Sequence, residues 1–218
     1  MLIARQRWSL IEPLVPGDDA ARAESLGKLR EYGRMLLDWN QGVSNLISRH
    51  DELRLVERHM RESIEPARIL IDSGCKRFVD FGSGAGLPVI PLLLCGVGEH
   101  WTAVESRRNK TLFMRKVKQD MKLENINIVT NRLEVAIGED SAALACDGFT
   151  SRATMTLGPT LEMASLIVES GGKAFLWKGS SHEEERAQGE AEWSQSWKFE
   201  GAHAIGEGPT VVCVFARL

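Results

Sequence analysis

The stretch VDFGSGAGLPVIP, residues 79–91, constrains the fold more than any other part of the chain. Its apolar start reads as a buried strand, and Gly82, Gly84 and Gly86 end that strand in a tight turn. Glycine adopts backbone angles closed to other residues and lacks the Cβ that would bar a ligand from the main chain. Pro88 and Pro91 follow at once. If a helix begins near Leu87, both prolines fall in its first turn, where a missing N–H breaks no helical bond. The free N–H groups of that turn would add donors for a ligand. Strand, glycine turn and helix in this order open a nucleotide-cofactor fold built on a parallel sheet.

The rest of the chain carries the pattern on. From residue 76, strand-like and helix-like segments alternate: RFVDF, LPVIPLLLC, HWTAVES, a helix over 109–121, NINIVT, a short helix near Leu133 and DGFTSRAT. A helix over TLEMASLIV, a Gly-Gly turn with the strand GGKAFLWKG, and a polar helix over SHEEERAQGEAEWSQ follow. WKFEGAHAI and TVVCVFARL, joined by GEGP, read as a closing antiparallel hairpin at a sheet edge. The fold class is therefore α/β, a mostly parallel sheet with helices on both faces and a C-terminal hairpin. Helical spacing of Leu26, Leu29, Leu36 and Leu37, and of Leu53, Val56, Met60 and Ile64, gives two helices upstream, over 22–40 and 51–64. Residues 1–74 are read as a small helical region packed on the domain formed by 75–218.

Composition excludes more than it assigns. No apolar run reaches the roughly 18–20 residues that span a bilayer, and the start MLIARQRWSLIEPLVPGDD has no signal-peptide core. Cys75, Cys95, Cys146 and Cys213 are far apart among apolar residues, which suits reduced thiols in a cytoplasmic protein and no metal site. The net charge of −3 gives no global sign of nucleic-acid binding, yet RRNKTLFMRKVK, residues 107–118, is basic without a single acid. Arg107, Arg108, Lys110 and Arg115 in that run are candidates for phosphate contact, the competing reading being a solvated helix face. Nothing in the sequence calls for more than a monomer.

The glycine spacing discriminates among cofactors. A dinucleotide fold wants G-x-G-x-x-G, whereas this chain has Leu87 where the third glycine would stand. A G-x-G-x-G turn behind an acid, here Asp80, is similar to the cofactor loop of the class I S-adenosylmethionine-dependent methyltransferases, which have a Rossmann-like fold. That cofactor carries an ammonium, and Asp80 is an acid near it. Ser83 lies in the same turn. Glu105 ends the next strand, where a carboxylate accepts ribose hydroxyls. A dehydrogenase and a purely structural turn are the weaker alternatives.

Several motifs together resemble one family, the bacterial 16S ribosomal RNA (guanine-N7) methyltransferases, or glucose-inhibited division protein B family. They are WN…NL (Trp39, Asn40, Asn45, Leu46), RH (Arg58, His59), GSGAGLP, NKTLF (109–113), RLE (132–134), SRA (151–153) and KG (178–179). The resemblance implies that Gly82 and Leu87 line the cofactor, that Leu133 and Glu134 sit at its adenine end, and that Arg152 lies between cofactor and target base. It places Asn45, His59 and Lys178 near the RNA. Val89 stands where the family has glycine, and Glu62 where it has an acid one methylene shorter. The implied partner is 16S rRNA or a 30S assembly particle, and the cofactor product is S-adenosylhomocysteine.

Guanine N7 is an sp2 nitrogen with a free lone pair and no proton to lose. Its methylation needs no general base, so catalysis rests on holding it in line at near-attack distance. Arg152 and Lys178 are then orienting groups toward O6 or phosphate, since the N7 lone pair must stay free. Each has a plain structural competitor: a strand-end ion pair for Arg152, a solvated strand end for Lys178, a core histidine for His59 and a helix-start acid for Glu134. A methyltransferase of proteins or small molecules, and a non-catalytic RNA-binding relative, remain as alternatives at this stage.

Overall fold

A computed structural model describes residues 2–218 of the chain. Seven strands form one sheet in the order β3-β2-β1-β4-β5-β7-β6. These are β1 Arg77–Phe81, β2 His100–Val104, β3 Ile126–Val129, β4 Cys146–Arg152, β5 Val168–Lys178, β6 Trp197–Ala204 and β7 Val211–Arg217. β1 to β5 are mutually parallel, and β7 runs antiparallel between β5 and β6. The closing hairpin thus lies at one edge, as its sequence predicts.

Helices cover both faces. α1 Asp19–Gly42, α2 Arg49–Glu52, α3 Arg61–Ile64, α4 Ala67–Asp72, α5 Val89–Leu94 and α6 Arg108–Asp120 bury Leu29, Leu36, Ile64, Ile90 and Phe113 in one cluster with Phe78 and Phe175 of the sheet. α7 Leu133–Asp140, α8 Leu157–Ala164, α9 His182–Gln188 and α10 Glu190–Trp193 lie in the other half of the chain. Leu133, Leu161 and Trp193 from that half pack with Val79, Phe149 and Phe215. Each large side chain so buried contributes roughly 1.5–3 kcal/mol. Among the described residues no helix is long and apolar enough to cross a membrane.

Five elements differ from the sequence expectation: α8 lies at Leu157–Ala164 rather than over 160–168, and three of the other four differences have a visible cause. The single helix expected over 51–64 is two short helices around a π-helical turn, Leu55–Met60. Gln6 opens the ladder there. Its side-chain amide donates to Glu52 O (2.8 Å) and accepts from Val56 N–H (3.1 Å), taking the place of the bond those two groups would share in an α-helix. The Gly-Gly pair falls inside β5 rather than before it, because Gly171 (φ +84°) bends the strand and Gly172 lies against Asp147 O. The polar helix after Lys178 breaks at Gly189 so that Trp193 turns inward. α5 starts at Val89, two residues later than expected, with Pro88 directly before it and the Leu87–Pro88 peptide bond cis.

The upstream WN…NL motif is a structural clasp. Asn40 Oδ1 accepts from the Leu46 and Ile47 N–H groups (2.5 and 2.9 Å), while Nδ2 donates to Glu52 (2.6 Å). Asn40→Ala leaves two largely buried N–H groups without partners, so it is expected to cost about 2–3 kcal/mol in urea unfolding. A loss below about 0.5 kcal/mol would show that the clasp is dispensable.

Candidate active site

Because β1 to β5 are parallel, the residues following them gather along one edge of the sheet. That edge carries the glycine turn after β1, Glu105 after β2, Leu133 and Glu134 beyond β3, Arg152 at the end of β4 and Lys178 at the end of β5. Strand order reverses between β1 and β4, and the crevice at such a switch point is where open α/β sheets bind ligands.

The glycine turn is fixed from several sides. Gly82 and Ser83 N–H donate to Val104 O (2.9 and 3.2 Å), and Gly84 N–H donates to Glu105 Oε2 (2.9 Å). Ser83 Oγ donates to Asp80 O (3.0 Å). From α1, Tyr32, the only tyrosine in the chain, donates its buried hydroxyl to Ala85 O (2.8 Å). At Gly82 (φ +70°) a Cβ would overlap the Thr154 side chain, so the turns after β1 and β4 approach each other over this residue. Gly84 (φ +58°) instead faces space, with Lys110 Nζ 3.7 Å from where a Cβ would be. The N–H groups expected to be free at the helix start are partly used: Gly86 and Leu87 donate to Ser83 O, and Ile90 to Gly86 O.

Asp80 lies beneath the turn. Thr150, its register partner on β4, donates to Asp80 Oδ1 at 2.6 Å, while Oδ2 is buried without a partner. Burial pushes the carboxyl up to about 6, against the pull of the Thr150 and Ser83 hydroxyls. A buried carboxylate oxygen with no donor fits a cationic group in the adjoining crevice. Glu105 already accepts from Gly84 and from Arg107 N–H (2.8 Å), but each of its oxygens has a second lone pair for a hydroxyl. Leu133 is buried in the core and Glu134 is exposed beside Arg132.

Next to the turn opens a cleft of about 450 Å³, whose lining includes Arg58, His59, Glu62, Arg152, Met155 and Lys178. Arg152 donates to Glu62 Oε2 (3.2 Å) and to His59 Nδ1 (3.1 Å). Arginine cannot accept, so Nδ1 is the bare nitrogen of His59 and its proton sits on Nε2, 3.6 Å from Asp51. Burial, and after it the charge of Arg152, holds His59 down at about 4. Lys178 is less free than the sequence suggests. Its Nζ donates to Met155 O (2.6 Å) and Glu185 Oε2 (2.8 Å), and that same carboxylate oxygen accepts from Leu157 N–H (3.0 Å). Lys178 and Glu185 therefore hold the segment after β4, in which Ala153 has φ +56°. A non-glycine residue held in this region marks a constrained site.

The basic run divides. Arg107 and Arg108 are exposed at the start of α6, and Lys110 points to the glycine turn. Arg115, a candidate phosphate contact, instead donates to Ile128 O (3.1 Å) and Thr130 Oγ1 (3.0 Å), fastening α6 to β3. Asn45 is exposed in the turn after α1 and is not among the residues lining the cleft. Tyr32, Thr150, Thr154 and Glu185 were not singled out from the sequence. The first three stand in ordinary helix and strand contexts, and Glu185 is one of three adjacent glutamates that read as a solvated face.

Sheet order, glycine turn and buried acid define a class I, Rossmann-like methyltransferase. Among solved structures the fold is similar to an rRNA methylase from Streptococcus thermophilus (TM-score 0.56, 13% identity, 72% of this chain and 97% of that one). It is also similar to the fibrillarin/Nop5p complex structure (TM-score 0.57, 14% identity, 74% and 84%) and to SMU.1697c from Streptococcus mutans in complex with SAH (TM-score 0.53, 11% identity, 70% and 95%). The family model for GidB, rRNA small subunit methyltransferase G, matches residues 25–205. Ribosomal RNA small subunit methyltransferase G of Erwinia tasmaniensis is 34% identical over 156 residues, 72% of each chain. Its namesake in Escherichia fergusonii is 34% identical over 160 residues, 73% of each. The chain belongs to the rRNA small subunit methyltransferase G family.

Glu185→Gln weakens the acceptor shared by Lys178 and Leu157. Amide hydrogen exchange at Leu157 is expected to accelerate at least tenfold, with the strand amides of β1 unchanged. Unaltered exchange at Leu157 would show that the segment is held by other contacts.

Proposed function

We propose that this protein transfers the methyl group of S-adenosylmethionine to N7 of a guanine in 16S rRNA, acting as a cytoplasmic monomer on the RNA or on a 30S assembly particle. Residues 75–218 serve as the methyltransferase domain, with 1–74 as a helical region that braces it. The observation that carries the reading is the partnerless oxygen of Asp80 under a glycine turn, in a chain of this family. When bound, S-adenosylmethionine supplies an electrophilic methyl on a sulfonium centre. Asp80 would face its ammonium, with Gly82, Ser83, Gly84, Gly86 and Leu87 shaping the turn around it. Glu105 would take the ribose hydroxyls, and Leu133 with Glu134 would flank the adenine.

The chemistry asks little of the side chains beyond placement. The bound sulfonium would supply the methyl and the guanine N7 lone pair would accept it, the S–CH3 electrons returning to sulfur and the positive charge passing to the purine. No proton moves, so the absence of a basic dyad among the cleft residues is no obstacle. Arg152, which lines the cleft with Thr154 and Met155, orients the base through O6. Lys178 acts on the loop that forms the cleft wall, and the exposed Arg107 and Arg108 suit phosphate contact, which positions without specifying.

Three outcomes test this. Incubation with 16S rRNA, naked or in 30S particles, is expected to yield 7-methylguanosine by mass mapping. Methylation at another atom, or none on either substrate, would overturn the reading. Asp80→Asn should raise the cofactor dissociation constant at least tenfold at pH 8, a cost of about 1.4 kcal/mol, measured by calorimetry. An unchanged constant would remove Asp80 from the site. Arg152→Lys keeps the charge but loses the planar fork, and methyl transfer should fall about 100-fold while cofactor affinity stays within threefold.

A further inference from the structure

Resting on that reading, we infer that Glu62 and His59 are positioning residues for Arg152, holding its guanidinium at one angle in the cleft through acceptors supplied by the N-terminal helical region. Two of the five guanidinium donors are taken up, one by Glu62 Oε2 and one by His59 Nδ1. Three remain to meet a base. Two acceptors set on different nitrogens fix the plane of the group, which a single ion pair would leave free to swing.

The two acceptors are themselves fixed. Trp177 is the β5 register partner of Arg152, and its indole N–H donates to Glu62 O at 2.8 Å. Adjacent residues on neighbouring strands therefore grip one glutamate, Trp177 by its backbone and Arg152 by its carboxylate. Ser63 Oγ donates to His59 O at 2.6 Å. Arg58 bridges the two acids of the group, with 3.0 Å to Asp51 and 3.8 Å to Glu62. Asp51 and Glu62 balance Arg58 and Arg152, and His59 is neutral, so the cluster carries no net charge. Burying Arg152 is tolerable only in such company, since an isolated charge out of water is costly.

The cluster also accounts for two oddities of the sequence. The π-helical turn opened by Gln6 carries His59, and it leads directly into α3, which carries Glu62, so both meet the same arginine. Such wide turns recur at functional sites. Glutamate at 62, one methylene longer than the acid its family resemblance implies, reaches Arg152 from α3 at 3.2 Å.

The test combines rates with a readout independent of turnover. In wild-type protein, 15N NMR of the Arg152 Nη groups is expected to show slowed rotation about Cζ–Nε, and Glu62→Leu, which removes the acceptor, should release it. Free rotation in the wild type would overturn the inference whatever the activity. On 16S rRNA, Glu62→Leu should lower kcat at least tenfold with the cofactor KM within twofold. Combined with Arg152→Lys it should lose no more than about threefold beyond the single Arg152 variant, because both changes act through one group. Multiplied losses would mean that Glu62 acts elsewhere. Should Glu62→Leu fail to fold, His59 decides. His59→Asn keeps an acceptor and should retain activity within threefold, whereas His59→Leu should lose at least tenfold, and equal losses would contradict the assignment. A wild-type protein inactive on the RNA but with restrained Arg152 would sink the proposed function and leave the positioning intact.

Discussion

The structure depends on how the turn between β1 and α5 is held. Three different elements bond to it: the end of β2 through Val104 O and Glu105, β1 itself through Asp80 O, and α1 through Tyr32. A turn of glycines has high conformational entropy on its own, and an open one would bind nothing. Anchoring it converts permissive backbone into a rigid cradle, as preorganisation for binding requires. The N-terminal helices matter here because one of them supplies an anchor from outside the sheet.

A second constraint follows from the first. With the turn fixed, Thr154 packs over Gly82, and the segment after β4 has to pass close to it. Lys178 and Glu185 hold that segment from the β5 side, and Glu62 with His59 hold Arg152 from the N-terminal side. The groups around the cleft are thus mostly occupied with one another. Such an arrangement suits a reaction in which no proton is removed and the rate depends on alignment.

Much of this was legible in the chain. The strand–glycine–helix order pointed to the parallel sheet, and two β-rich segments joined by GEGP pointed to the edge hairpin, because both signals are local. The site residues came from strand ends, and parallel strands necessarily bring their ends together. What stayed hidden depends on distant pairings. Nothing near Gln6 indicates that its amide enters a helix 50 residues away. Arg115 reads like its basic neighbours until β3 presents carbonyl and hydroxyl acceptors to it. Glu62 stands out in the sequence only as a longer acid in a family motif, and its partner Arg152 lies 90 residues downstream.

The central claim is that the partnerless oxygen of Asp80 receives a cation. Burial pushes its carboxyl up to about 6, so as pH falls through that value the free protein takes up that proton. An arriving ammonium favours the ionised form, so the proton must leave, and affinity must fall as pH drops through this value. Calorimetry of S-adenosylmethionine binding at pH 6, in buffers of different ionisation heat, counts protons directly. A net release of protons on cofactor binding is the result expected here, and none in Asp80→Asn. Binding with no proton released by the wild type, or with protons taken up, would contradict it.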